Sequence, residues 1–177
     1  METKWPYNNL LTGLFRQYDN AAKAYNALLK LGYAKDEINI LMSAETKQKN
    51  RHERRNPQLR VEDEAIRAAG VGGSLGVTTG AITGALMALG TLVIISGLGI
   101  AASGPIAVWM SGATAGGIAG GLVGALINLG ITNNHAERFN TELKNGAILI
   151  ILHPHSESDR TNIEREWDNY EGIVLSA

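Results

Sequence analysis

The chain has 177 residues, with 16 Lys and Arg against 17 Asp and Glu, a net charge of −1 and no cysteine. That length suits one domain, or one domain carrying an insertion, and is enough to bury a real core. The near-neutral balance gives no overall electrostatic preference for nucleic acid, and the lack of cysteine excludes disulfides, thiol nucleophiles and thiolate metal sites.

In chain order, the opening residues, with Glu2, Lys4 and Trp5, lack the apolar stretch of a secretory signal. Residues 10–15 are a short apolar run, interrupted by Thr12 and Gly13, that predicts a strand. From Asp19 or Asn20, both good helix caps, Ala21, Ala24, Tyr25, Leu28, Leu29 and Leu31 recur at helical spacing, and Gly32 supplies a stop. Residues 38–42 follow as an aliphatic strand, completing a β-α-β unit. Residues 46–60 then turn polar and basic, an irregular or partly helical exposed loop. A helix is expected from Val61, with Glu62, Asp63 and Glu64 favourably placed in its first turn.

Residues 68–136 contain no Lys, Arg, Asp or Glu. Gly72, Gly76, Gly80 and Gly84, continued by Ala88, repeat at every fourth position, and so do Gly112, Gly116, Gly120 and Gly124. On a helix, residues four apart lie almost above one another, so each set makes a groove free of side chains into which a second helix fits closely. Large aliphatics such as Leu75, Ile82, Leu86, Ile118, Leu122 and Leu126 distinguish this stretch from a flexible linker. Each interior glycine costs about 1 kcal/mol of helix propensity, which close packing or lipid must offset. The expectation is an antiparallel helical hairpin over residues 73–95 and 105–127. The first helix ends near Ser96 to Gly99, and the second begins at Pro105 with Ser103 as a candidate cap.

Beyond Gly130, Thr132 or Asn133 caps a polar helix running to Lys144, with Phe139 and Leu143 on one face. Residues 147–152 are the clearest strand. Ser156 or Ser158 starts a further helix carrying Ile163, Trp167 and Tyr170, Gly172 ends it, and residues 173–175 make a last strand. Without the hairpin and its trailing helix the order is β-α-β-β-α-β. The predicted class is therefore α+β, a ferredoxin-like split β-α-β domain with a four-stranded antiparallel sheet, interrupted by a long glycine-zipper hairpin. Residues 1–60 form the first half of that domain plus the basic loop, 61–131 the hairpin, and 132–177 the connecting helix and second half.

Leu11-Thr-Gly-Leu-Phe-Arg, the Ala-rich helix ending in Leu31-Gly-Tyr, and Asp36-Glu-Ile-Asn-Ile-Leu-Met-Ser together resemble the N-terminal domain of bacterial heat-induced general stress proteins of the YflT type. Glycine- and alanine-rich middles followed by Leu129-Gly-Ile, Ala136-Glu and Lys144-Asn-Gly-Ala-Ile-Leu-Ile are similar to those of related stress and membrane-associated proteins. The resemblance implies a stress-linked bacterial protein without known catalytic residues.

No catalytic, cofactor or metal site emerges. Gly70-x-Gly72-Gly73-x-x-Gly76 brushes against a dinucleotide fingerprint, but its third glycine falls one place late and no strand precedes it. His153-Pro154-His155 at a strand end could put two imidazoles on one side and seed a metal site. With only Glu157 and Asp159 nearby, solvated loop histidines are the stronger reading. The hydroxyls of the middle, Ser74 and Thr83 among them, have no His or Asp companion for nucleophilic work.

The implied partner is a second copy of the chain, with membrane lipid alongside. No nucleic acid is expected, because the basic loop has no interleaved aromatics, and no small-molecule substrate is identified. Arg51, Arg54, Arg55 and Arg60 would contact lipid headgroups in the positive-inside manner, or simply be solvated. Each apolar segment is about 23 residues, enough to cross a bilayer core of about 30 Å as helix. A membrane-inserted hairpin with both termini cytoplasmic is the first expectation. The alternative is a soluble, cytoplasmic self-assembling oligomer or filament that buries its hairpins.

Overall fold

A computed structural model describes residues 10–53, 92–95, 98–108, 110 and 121–176. The elements are β1 (Leu11–Phe15), α1 (Tyr18–Lys30), β2 (Asn39–Ser43), α2 (Ala44–Glu53), β3 (Val93–Ile95), β4 (Ile100–Ser103), α3 (Gly121–Asn128), α4 (Asn133–Lys144), β5 (Ile148–Leu152), α5 (Glu157–Asn169) and β6 (Ile173–Ser176). Residues 105–108 are also helical.

All the strands join one antiparallel sheet of six, in the order β3-β4-β2-β5-β1-β6. The expected sheet of four is corrected to six, because the middle of the chain supplies two strands. Thr91-Leu-Val-Ile-Ile is rich in β-branched residues, which pack well on a pleated surface. Gly99, at φ +66, takes the turn into β4. The first hairpin helix was expected to reach residue 95 and turn there. Its last residues are instead a β-hairpin in which Ile94 faces Ala101.

The strands are buried on both sides, so each reads as a nearly unbroken apolar run, as in Ile148-Leu-Ile-Ile-Leu. Alternate residues feed two cores. On one face Leu11, Phe15, Ile40, Met42, Ile148, Ile150 and Leu152 pack against α1 (Ala21, Tyr25, Leu28) and α5 (Ile163, Trp167). On the other, Leu14, Leu41, Ile100, Ala102, Leu149 and Ile151 meet Ile106 and Met110, α3 (Leu122, Leu126) and α4 (Phe139, Leu143). The helix preceding β5 is thus a layer covering the second face of the sheet.

Local signals hold with shifts. Gly32, at φ +94, closes α1, with Tyr33 N–H donating to Leu28 O at 3.1 Å. The residue flanking α1 is Gln17 rather than Asp19 or Asn20, and Asn20 Nδ2 instead donates to Glu171 at 3.1 Å. Ser156 does cap α5, accepting from Asp159 N–H at 3.1 Å. Helix α5 stops before Gly172, and the left-handed residue there is Glu171, at φ 56. Gly172 serves space, since a Cβ would lie 2.6 Å from Phe15 Cε1.

Candidate functional site

The charge-free stretch meets the folded domain at β3. Among the described residues, this outermost strand pairs only with β4. Its start is tied down by Lys47 of α2, whose Nζ donates to the carbonyl of Leu92 at 2.6 Å. Ile95 is buried, whereas Val93 and Ile94, which alternate to opposite faces of the sheet, are 49% and 47% exposed. Val108 is 77% and Ile127 42% exposed. Apart from Leu31, these four are the large exposed hydrophobics among the described residues, and all lie in the stretch without charge.

A single polar side chain fixes where the chain leaves the sheet after β4. Asn39 is buried at the start of β2. Its Nδ2 donates to Ile151 O at 3.1 Å, and its Oδ1 accepts from Ile106 N–H at 2.9 Å. The helical turn at 105–108 is therefore capped from a neighbouring strand, and Ser103, the expected cap, lies within β4. Pro105 begins the helical residues as expected. Gly104, at φ +79, leaves no room for a Cβ, which would sit 2.7 Å from Ile38 O.

Of the expected packing glycines only Gly124 is described. Gly72, Gly76, Gly80, Gly84, Ala88, Gly112, Gly116 and Gly120 lie outside the described residues. Gly124 sits in α3, whose buried residues are Leu122, Ala125 and Leu126 and which packs on α4. The partner of the described end of the second apolar segment is therefore the helix that follows it. Arg51 falls in α2, while Arg54, Arg55, Arg60 and the motif beginning at Gly70 lie outside the described residues.

The transmembrane hairpin and the membrane-protein reading are corrected. Among the described residues no helix is long and apolar enough to cross a membrane. The physical reason lies at the ends of the two expected spans. Residues 93–95 are sheet, Ile106 and Met110 belong to the core, and α3 is committed to α4.

The second polar constellation lies where the α1–β2 and β5–α5 connections meet. The imidazole of His155 stacks on Tyr33, with centroids 4.2 Å apart and planes 17° from parallel. Its Nε2 lies 3.0 Å from Glu37 Oε1, and its backbone N–H donates to Tyr33 Oη at 3.0 Å. The Tyr33 hydroxyl also reaches Asp159 Oδ2 at 3.5 Å. Glu37 is held below the usual carboxylate range, first by the N–H of Ala34, 2.7 Å from Oε2, and then by His155. Burial, the leading cause, raises the Tyr33 phenol.

His155 is thus engaged in a fixed contact and is not a freely solvated loop residue. The ring nitrogens of His153 are buried. No group of three or more metal-ligating side chains occurs among the described residues. Tyr33 and Glu37 carried no sequence signal, because only folding brings them beside a residue more than a hundred positions away.

The chain matches no family model, no curated protein and no solved structure.

Proposed function

We propose that this chain is a non-enzymatic structural protein that self-associates into a homo-oligomer through its charge-free middle, burying that apolar surface between copies. One observation carries the proposal: among the described residues, the large exposed hydrophobics concentrate at the borders of residues 68–136. Apolar surface gathered in one part of a chain is characteristic of an association site. The four-residue spacing of Gly72 to Ala88 and of Gly112 to Gly124 supports helix-on-helix contact as its chemistry. The inner strand order β2-β5-β1-β6, all antiparallel, supports a ferredoxin-like core that carries this segment. The resemblance to the stress proteins supports a stress-linked role. A non-enzymatic reading fits His155, Glu37 and Tyr33 tying two loops together.

Light scattering coupled to size exclusion tests this directly. The wild type is expected as a discrete oligomer, and Gly76→Leu with Gly120→Leu as a smaller species with unchanged circular dichroism from the sheet domain. A wild type that stays monomeric at high concentration overturns the proposal, and a double variant that keeps the native mass removes the glycine grooves from it.

A further inference from the structure

We infer that β3 is the centre of a two-fold contact, in which the six-stranded sheet of one copy continues into that of a second copy, β3 running antiparallel to β3. This rests on the self-association reading above and names its surface. The opposite edge strand, β6, has Ile173, Val174 and Leu175 packed partly into the two cores, whereas β3 leaves Val93 and Ile94 half open on the two faces of the sheet. An exposed edge is ordinarily guarded by Lys, Pro or a bulge. Here the run from Gly90 to Ser96 has no charge and no proline.

That composition selects a second copy as the occupant. Across a two-fold axis a segment meets itself, so any charge near the axis would face its own like. A stretch without Lys, Arg, Asp or Glu from 68 to 136 carries no such conflict. An axis through Ile94 sets Ile94 opposite Ile94 and Val93 opposite Ile95. Apolar β-branched pairs then line the junction, and the half-open side chains become covered on both faces.

The absence of cysteine makes the test clean. Residues directly opposite in antiparallel strands have Cα atoms about 4.5–5.5 Å apart, within the range a disulfide spans. With the full chain under mild oxidation, Ile94→Cys is expected to link to itself at least about tenfold faster than Val108→Cys, an exposed position of the same stretch away from the strand. As a second variant, Ile94→Lys is expected to halve the assembled mass with unchanged circular dichroism. If the wild type is monomeric, self-association and this contact fall together. If the wild type assembles but Ile94→Cys links no faster than Val108→Cys and Ile94→Lys keeps the native mass, the β3 contact is overturned while self-association stands.

Discussion

Asn39 shows how much of this fold rests on one side chain. It joins β2 to β5 and to the helical turn after β4 through two buried hydrogen bonds. In Asn39→Ala the Ile106 N–H and Ile151 carbonyl lose this buried partner, a loss of about 2 kcal/mol or more that denaturant titration would read. Nothing local distinguishes Asn39 in the sequence, since both partners are distant. Gly13 is similar: a Cβ there would run into the Trp167 ring, which packs edge-on against Phe15 at 5.7 Å. Gly13→Ala is expected to cost about 1–3 kcal/mol by overpacking, measured the same way. Tyr25 presents the opposite case. Its hydroxyl is buried with no hydrogen-bond partner among the described residues, and burial pushes its pKa up to about 12. Tyr25→Phe removes that buried polar atom, so its unfolding midpoint is expected to equal or exceed that of the wild type.

Acid sensitivity also belongs to single residues. Glu142 accepts from Arg16 Nη2 at 2.7 Å and Nε at 3.2 Å, and this pair holds its carboxyl below the usual value, as Ala34 N–H and then His155 do for Glu37. A depressed carboxylate pKa contributes stability that is present above the ordinary value near 4.5 and is lost as pH falls through the folded value. Stability should therefore decline below about pH 4.5, and Glu142→Gln should flatten that slope in unfolding curves taken across pH. Solvent screening keeps each contribution small, because the Arg16 and Glu37 side chains are substantially exposed.

At the scale of elements, α4 and the β3–β4 hairpin depart furthest from the sequence expectation. The α4 periodicity, with Phe139 and Leu143 four apart, was legible; its target was not. A clue lay in β5, because Ile148-Leu-Ile-Ile-Leu without polar alternation requires cover on both faces. A bare four-stranded sheet with helices on one side does not supply that cover. Truncating Phe139 to Ala, which opens the second core, is expected to cost about 3–5 kcal/mol by chemical denaturation, as for large buried aromatics generally. The hairpin was missed for another reason. Glycine spacing argues helix up to residue 90, and the change to Leu92-Val-Ile-Ile is too short for periodicity alone to separate strand from buried helix. Pairing with β2, in which Ile40 faces Ser103 and Ser43 faces Ile100, settles it.

The whole molecule couples a sheet enclosed by helices on both faces to a stretch that carries no charge. Self-association ties stability to concentration, so the unfolding midpoint is expected to rise on concentrating the wild type and to become independent of concentration in an association-deficient variant. Calorimetry over a dilution series would check this. The sequence by itself determined the outer elements, from α1 and its glycine stop to α5 and its serine cap, because helical spacing and capping are local properties of the chain. It also isolated the charge-free middle, since composition needs no fold to be read. Tertiary structure alone decided that residues 93–103 join the sheet, that α4 closes its second face, and that Asn39 and Tyr33 meet Ile106 and His155. Each of those is a contact between distant parts of the chain, and its energy exists only once both partners are buried together.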